Sequence, residues 1–365
     1  MSSIVRRFAF AALGVGAVAC GMKSLTSPAW VRAHEPIAEL GDGDCILSHE
    51  GRLACASEYK ARPLRQLQER IVQLESNGGS ARCAVLQSGR LACWGCLFTP
   101  PYGDLGQREI RYERPAALRS IDLPPVREIA IAGGGMCALT RTGEVSCWGF
   151  RGYDGMALCN GPSRSDPRTV AQGVSQIAVD RNGTLCRLDK ANVLRCSSVF
   201  YESKELTLRG VKRVTAGMNH FCALTQAGAV ICWGDNESAQ CAAPSTACEP
   251  DQPGGYVVNQ CLVQPHNVAL PEPAIDVTAG PSHSCAALRS GRVFCWGSSA
   301  NGALGFASVT RCPASEMGFC AIEPQPVAGI LDATRVRARK TWGVQTWALL
   351  SDGSAVVWPS DEKRP

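Results

Sequence analysis

The stretch that decides the fold is "CAVLQSGRLACWG", residues 83–95, in which two cysteines ten positions apart flank a glycine. Glycine stands at the sixth position after the first cysteine in most copies of this pattern, and Asn192 replaces it in one. Asparagine is a non-glycine residue that accepts positive φ comparatively readily. The recurrence indicates a repeated structural unit. The pairs with this spacing are Cys45/Cys55, Cys83/Cys93, Cys137/Cys147, Cys186/Cys196, Cys222/Cys232 and Cys285/Cys295.

The spacing predicts a β-hairpin. A three-residue loop that ends in a left-handed Gly89 places Val85 opposite Leu91 and Cys83 opposite Cys93. Cysteines that face each other across antiparallel strands lie within the Cα separation that a disulfide tolerates. We therefore expect each hairpin to be closed by a disulfide in an oxidising compartment, and Cys312 to pair with Cys320 within a loop of its own.

The repeats also predict the architecture. A seventh copy, "WALLSDGSAVVW", retains Gly353 and Trp358 but has Trp347 and Val357 at the cysteine positions. An apolar stretch precedes several hairpins, so each unit supplies at least three strands. A single hairpin cannot bury both of its faces, and such units must pack against one another. The sequence predicts an all-β fold, a seven-bladed β-propeller.

The N-terminus has the features of an export signal. Arg6 and Arg7 precede the apolar run "FAFAALGVGAVA", and "AVAC" resembles a lipobox in which Cys20 is lipidated. Plain secretion and an unprocessed, buried helix remain alternatives. Twenty cysteines in 365 residues also favour an oxidising compartment. We expect an exported cell-envelope protein, either a membrane-anchored lipoprotein or a periplasmic or secreted one. The predicted organisation is a signal peptide (1–19), a tether (20–29), the propeller (30–358) and a polar tail (359–365).

The segments "HFCALTQAGAVICWGDN" (220–236) and "HSCAALRSGRVFCWGSSANGALG" (283–305) resemble the regulator-of-chromosome-condensation repeat, especially its exported, cysteine-rich bacterial branch. The resemblance implies a seven-bladed propeller, in agreement with the repeat count. The terminal Gly-Gln-Leu-Gly of that repeat is recognisable only at 103–106 and 302–305. Because the chain ends soon after the last hairpin, we expect residues 28–40 to complete the last blade beside the C-terminal strands.

The residues that could support catalysis or metal binding favour structural roles. His220 and His283 occupy the same repeat position, which favours a framework role over that of a ligand or base. The "CWGC" of 93–96 begins with a cysteine already assigned to a hairpin, and "AGGGMC" (132–137) precedes a strand instead of a helix. Asp42 and Asp44 fit turn chemistry better than calcium binding. We therefore predict no enzyme activity, cofactor or metal. The remaining histidines are His34, His49 and His266.

The predicted function is the binding of another macromolecule, a protein or other envelope component, through loops. Two segments that follow Trp-Gly are long and carry extra cysteines, 235–273 and 298–326, and long loops in a compact domain are often functional. Inhibition of an extracellular enzyme is the first alternative, and guanine-nucleotide exchange on a small GTPase is the second. The basic residues of "RVRARK" alternate and predict a solvated strand face, so we expect no nucleic-acid partner. The lipid is the only membrane contact expected.

Overall fold

In the computed structural model of the protein, the residues described are 6–8, 29–33, 37–40, 45–48, 53–55, 69–76, 82–94, 119–132, 135–148, 167–198, 205–244, 262–308, 310–312, 318–338 and 345–358. Most of them form strands. The first five strands are β1 (Arg6–Phe8), β2 (Ala29–Ala33), β3 (Ile37–Leu40), β4 (Cys45–Ser48) and β5 (Leu53–Cys55). The next twelve are β6 (Ile71–Ser76), β7 (Arg82–Leu86), β8 (Leu91–Trp94), β9 (Arg119–Ile121), β10 (Val126–Ala132), β11 (Gly135–Thr140), β12 (Val145–Trp148), β13 (Arg168–Ala171), β14 (Val174–Val179), β15 (Thr184–Asp189), β16 (Val193–Ser198) and β17 (Leu206–Arg209). The last are β18 (Val211–Ala216), β19 (His220–Thr225), β20 (Val230–Asp235), β21 (Leu262–Asn267), β22 (Ala274–Ala279), β23 (His283–Leu288), β24 (Val293–Ser298), β25 (Cys320–Pro326), β26 (Ala333–Ala338), β27 (Thr346–Leu350) and β28 (Ala355–Trp358).

The chain divides into two compact units, 41–209 and 1–40 together with 210–365. Within the described part of the first unit, strands pair in chain order as the sheets β6–β9, β10–β13 and β14–β17, and β4 pairs with β5. Within the described part of the second, β18–β21 and β22–β25 form four-stranded sheets, and β1-β2-β28-β27-β26 form a five-stranded sheet. An all-β fold is confirmed. Six sheets of four or five strands are thus described, and the first predicted repeat contributes the hairpin β4–β5.

The hairpin geometry agrees with the sequence prediction. Gly89 has φ of +91°, and Leu86 donates its N–H to the carbonyl of Arg90 at 3.0 Å. Asn192 takes the same left-handed conformation with φ of +62°. Disulfides join facing cysteines whose Cα atoms are 4.0–4.1 Å apart, the close spacing of a non-hydrogen-bonded antiparallel pair. These pairs are Cys83–Cys93, Cys137–Cys147, Cys186–Cys196, Cys222–Cys232 and Cys285–Cys295.

The remaining predicted pairs differ in how much of them the structure describes. Cys45 lies opposite Cys55 in the β4–β5 register, but their side chains lie outside the described part of the structure. Cys312 and Cys320 are joined by a disulfide and have Cα atoms 5.0 Å apart. Cys20, Cys96, Cys159, Cys248 and Cys261 also lie outside the described residues.

The C-terminal sheet takes a strand from the N-terminus. β2 runs antiparallel to β28, with Ala29 opposite Val357 and Val31 opposite Ala355. The prediction for residues 28–40 is therefore confirmed for β2, whereas β3 is not a strand of this sheet. β1 pairs in parallel with the other edge of β2. Cleavage of the predicted signal peptide would remove β1 and leave the β2–β28 ladder intact.

The core lies between successive sheets. The disulfide of Cys222 and Cys232 is buried together with Val277 of the next sheet and with Trp296. The disulfide of Cys285 and Cys295 is buried in the same way with Val336 and Trp358. These two staples therefore close their own hairpins and also fill the space between two sheets.

Candidate functional site

Two inserts leave equivalent ends of two neighbouring sheets. The first, insert A, joins β20 to β21 and comprises residues 236–261, of which 236–244 are described. The second, insert B, joins β24 to β25 and comprises residues 299–319, of which 299–308, 310–312 and 318–319 are described. The long segments predicted from the sequence therefore included the fourth strand of each sheet. Only 236–261 and 299–319 are extra to the sheet framework.

Insert A begins with a tight turn that the sequence analysis missed. Ala239 and Ala242 have φ of +58° and +52°, and their counterparts in insert B, Gly302 and Gly305, have +74° and +76°. In both turns a backbone N–H donates a hydrogen bond to the carbonyl three residues earlier. Ala242 donates to Ala239 and Gly305 donates to Gly302, each at 2.9 Å. The segment 239–242 ("AQCA") is therefore the Gly-Gln-Leu-Gly turn of its repeat. Alanines at both glycine positions had concealed it.

This alignment explains Cys241. It occupies the position of Leu304, and both side chains are fully buried in the core beside their own hairpin disulfide. Cys241 carries a free thiol, whose pKa burial raises well above its usual range. The sequence had left open which two of Cys241, Cys248 and Cys261 pair. Cys241 is therefore an apolar core residue and takes part in no disulfide.

Replacing Ala242 with glycine should stabilise the protein by about 0.5–1 kcal/mol, because an L-residue at positive φ is strained and glycine is not. Ala242 is only partly buried, so little packing is lost. Urea unfolding at pH 7 measures the change. Ala243→Gly is the matched control, since Ala243 is fully buried and does not have positive φ. A destabilisation by both substitutions would contradict the assignment of the turn.

The turn of insert A is fixed to the neighbouring sheet. The carbonyl of Gln240 accepts hydrogen bonds from the indole Nε1 of Trp296 and from the hydroxyl of Ser284, both at 2.9 Å. The same arrangement recurs one sheet further on, where the carbonyl of Ala303 accepts from Trp358 Nε1 at 3.0 Å and from Thr346 at 3.2 Å. Both inserts therefore start from rigid, hydrogen-bonded turns.

His220 and His283 belong to this framework. The imidazole Nε2 of His220 lies 2.9 Å from the hydroxyl of Ser284, and that of His283 lies 2.8 Å from the hydroxyl of Thr346. Each histidine thus bridges its own sheet to the next one. Gly217 and Gly280 leave room for the rings, because a Cβ at either glycine would lie 2.4 Å or less from an imidazole carbon. The arrangement is consistent with the structural role predicted from repeat symmetry.

Burial lowers the pKa of His220 to about 3, an effect to which neighbouring His283 adds, and it lowers the pKa of His283 to about 4. The unfolded chain therefore binds these protons more readily than the folded protein does. Their contribution to stability is present above pH 6.5 and is lost as the pH falls towards 4. Asp180 acts in the opposite direction, because burial raises its pKa to about 6 and the folded protein then holds a proton below that pH.

Lowering the pH from 7 to 5 should therefore reduce the free energy of unfolding by about 3 kcal/mol, with about 2 lost per histidine and about 1 regained at Asp180. Denaturant titrations at the two pH values measure the difference. Asp180→Asn is the diagnostic variant, since it removes the offset and should increase the loss to about 4 kcal/mol. Equal stability of the wild-type protein at pH 5 and pH 7 would show that the histidines are not held neutral.

The two inserts touch each other. Ala239 of insert A is fully buried against the disulfide of Cys312 and Cys320, and Ile322 packs on the same cluster. Beyond this cluster, Arg311 lies opposite Phe319 in an antiparallel bridge, with the guanidinium carbon 5.2 Å from the ring centroid. The described parts of the two inserts are therefore in contact, and we call their exposed residues the insert surface.

An ion cluster that sequence analysis missed lies on the first strands of three successive sheets. Asp276 is buried and accepts from Arg213 Nη1 at 2.9 Å, from Arg337 Nη1 at 3.2 Å and from the backbone N–H of Val336 at 3.0 Å. The alternation predicts a solvated face for Arg335 and Arg337. Arg335 is exposed as predicted, but Arg337 is only partly exposed and pairs with Asp276, so the prediction is wrong for Arg337. β26 packs beside Asp276, and the carboxylate of Asp276 compensates the positive charge of Arg337.

The other candidate residues do not assemble into a catalytic or metal centre within the described residues. His34, His49, Asp42, Asp44 and Cys96 lie outside the described part, as do residues 133 and 134 of "AGGGMC". His266 lies on β21, opposite Cys232. Among the residues that the structure describes, no group of three or more histidine, cysteine or acidic side chains could hold a metal ion. In this part of the chain no helix has the length and apolarity needed to cross a membrane.

Comparison with known proteins agrees with the architecture. Residues 211–240 and 274–303 match the regulator of chromosome condensation (RCC1) repeat. Protein pim1 of Schizosaccharomyces pombe is 25% identical over 60% of this chain and 45% of its own length. The human E3 ubiquitin-protein ligase HERC2 is 30% identical over 55% of this chain and 4% of its own length. The chain thus spans less than half the length of these relatives.

Solved structures show the same fold. The yeast RCC1 protein Prp20, in its complex with Kap60, superposes with a TM-score of 0.60 at 19% identity and covers 97% of this chain and 86% of that one. The structure of Prp20p from Saccharomyces cerevisiae, described with its binding to Gsp1p and histones, superposes with a TM-score of 0.58 at 19% identity and covers 84% of this chain and 75% of that one. The chain therefore has a propeller-type fold, and two of its segments match the RCC1 repeat, in agreement with the resemblance seen in the sequence.

Proposed function

We propose that this chain, with its RCC1 repeats on a propeller-type fold, is an exported, non-catalytic protein that binds another protein through the insert surface. The observation that carries the proposal is the contact between the two inserts in the cluster around Ala239 and the disulfide of Cys312 and Cys320. Insert B is closed by a disulfide, and a loop fixed in this way loses little entropy on binding, which favours recognition. The shared fold is suited to protein binding.

Export is supported by the cysteines. Five described hairpins carry facing cysteines at disulfide distance, and such bonds persist in oxidising compartments. We propose that residues 1–19 direct export and that Cys20 receives a lipid that anchors the protein to the cell envelope. We also propose that the hairpin of β4 and β5 belongs to a seventh blade. Mass spectrometry of the mature N-terminus tests the proposed export signal and lipid anchor, since cleavage and lipidation would place a modified Cys20 at the first position of the mature protein.

The binding proposal is tested by cross-linking in intact cells with variants of each insert. Deleting 240–262 would remove Gln240, whose carbonyl accepts a hydrogen bond from Trp296, and deleting 310–322 would remove the start of β25. Loss of the partner by such variants would not distinguish a lost binding surface from a disrupted fold. The variants are instead Δ246–261 for insert A, which removes Cys248 and Cys261 together, and, for insert B, replacement of 313–317 by two glycines together with Phe319→Ala. Both leave the described turns, the cluster and the fourth strands in place.

The control variant carries Ala227→Glu, which alters an exposed hairpin turn at the opposite end of β20 from insert A. We expect at least one insert variant to lose the cross-linked partner by tenfold or more while the control retains it. Thermal unfolding shows that each variant is folded. Full retention of the partner by both folded insert variants would show that it binds elsewhere.

A further inference from the structure

We infer that the anchored protein holds the insert surface towards the membrane, so that its partner is a membrane-embedded protein and not a freely diffusing one. The inference rests on the proposed function and on the proposed lipidation of Cys20. It is carried by the point at which the N-terminal segment enters the last sheet. Its test measures orientation on vesicles without the partner, so the two can fail separately.

The N-terminal segment enters the last sheet at the end from which the inserts leave the preceding sheets. β2 begins at Ala29, which lies opposite Val357, next to the last residue of β28. β28 is the third strand of its repeat, as β20 and β24 are of theirs, and the inserts follow those two strands. The chain therefore reaches β2 at what we call the insert end of these sheets. The opposite end, where the turns of the hairpins lie, is the hairpin end.

This end of the last sheet is in direct contact with insert B. Trp358, the last residue of β28, donates its indole N–H to the carbonyl of Ala303 at 3.0 Å. Insert A packs on insert B, because Ala239 is buried against the disulfide of insert B. The entry point at Ala29 and the insert surface therefore belong to one packed and hydrogen-bonded end of the second unit.

The reach of the N-terminal segment decides which end of the sheets approaches the bilayer. Ala29 follows Cys20 by nine residues, and a fully extended chain of that length spans about 30 Å. A six-residue strand such as β24 is about 20 Å long. With the hairpin end on the bilayer, the chain would have to run the length of a sheet, which leaves about 10 Å to reach the lipid. The insert end needs no such extension, so the anchor favours an orientation with the insert surface towards the membrane.

The charges at the insert end favour a protein partner over lipid headgroups. Anionic headgroups attract clusters of lysine and arginine. The described residues of the inserts contain one basic residue, Arg311, and the acidic Glu237, with Asp235 at the end of β20 beside insert A. The inserts are therefore not drawn to anionic lipid, and the acyl chain supplies the contact with the bilayer. A surface held within about 30 Å of the bilayer in this way meets proteins that project from it.

The experiment places the lipidated full chain on vesicles of phosphatidylethanolamine and phosphatidylglycerol that contain a lipid with a nitroxide headgroup. A fluorescent amino acid is incorporated either at Phe319 of insert B or at Leu331, which are 44% and 69% exposed. Leu331 lies at the hairpin end, since a Cβ on Gly291 would be 2.4 Å from its carbonyl oxygen. Because the two ends are about 20 Å apart, we expect the nitroxide to quench the label at 319 about threefold more than the label at 331.

A longer N-terminal segment provides the matched control. Insertion of about twenty residues between Lys23 and Ser24 lets either end of the sheets reach the bilayer, so the difference between the two labels should disappear. Equal quenching with the native segment would overturn the inference, and so would a mature N-terminus without lipid on Cys20. A difference that persists in the lengthened variant would mean that the inserts bind lipid directly, which would also overturn it.

The partner itself is classified in intact cells with a cleavable cross-linker. Once the cross-link is cleaved, the partner should remain in the membrane fraction during extraction with alkaline carbonate, which removes peripheral proteins. Release of the partner by carbonate would overturn its assignment as a membrane-embedded protein. Stronger quenching at 319 together with full retention of the partner by both insert variants would leave the orientation standing and refute the proposed function.

Discussion

Reduction of the disulfides is expected to unfold the protein at neutral pH without denaturant. Each hairpin staple closes a loop of about eleven residues and contributes about 2–3 kcal/mol in the chain-entropy model. Five described hairpins carry one, so their joint contribution exceeds about 10 kcal/mol, which is comparable to the whole stability of a typical domain. Circular dichroism during titration with a thiol reductant follows the loss of structure.

Peptide mapping under non-reducing conditions provides the chemical control. We expect Cys83 to be recovered with Cys93 and Cys222 with Cys232, whereas Cys241 should be alkylated only after unfolding, because it is buried and free. The single-staple variant Cys222→Ala/Cys232→Ala should lose about 2–3 kcal/mol. Free thiols at these pairs in exported protein would refute the stapled-hairpin interpretation, and native structure after full reduction would show that the sheets hold without them.

Asp276→Ala is expected to destabilise the protein by about 3–5 kcal/mol, because it leaves the partly buried guanidinium groups of Arg213 and Arg337 close together without their shared carboxylate. The backbone N–H of Val336 also loses its acceptor. Both arginines keep some contact with water, which places the expected loss near the lower end of this range. Urea unfolding at pH 7 measures it.

Asp276→Asn separates charge from hydrogen bonding, since the amide oxygen can still accept from Val336. We expect it to cost about half as much as the alanine substitution. Asp332→Ala is the exposed control and should change stability by less than about 0.5 kcal/mol. A loss below about 1 kcal/mol for Asp276→Ala would mean that the arginines find sufficient solvation without it.

The hairpins could be predicted residue by residue because their determinants are local. A left-handed residue at the sixth position fixes the loop, the loop fixes the register, and the register brings Cys83 opposite Cys93. The pairing of residues 29–31 with β28 followed from counting the strands that the last repeat lacked. The disulfide of Cys312 and Cys320 was likewise predictable, since a short segment connects the two cysteines.

The turn of insert A was hidden by its residue types. Positive φ is usually signalled by glycine, and neither Ala239 nor Ala242 carries that signal. Surrounding contacts hold these alanines in place, including the bond from Trp296 to the carbonyl of Gln240 and the packing of Cys241 in the core. The sequence likewise contains no local sign that Cys241 is a core residue and not a disulfide partner.

The sequence by itself determined the repeat, the hairpin register, the cysteine pairs and the propeller-type fold, because each depends on spacing within one repeat. Only the tertiary structure decided which side chains of one repeat contact those of another. It joined Asp276 to arginines about sixty residues away on either side, tied His220 to Ser284, and packed Ala239 of insert A against the disulfide of insert B. Such contacts depend on how one sheet is placed against the next. That placement results from the packing of whole sheets, which no short sequence pattern encodes.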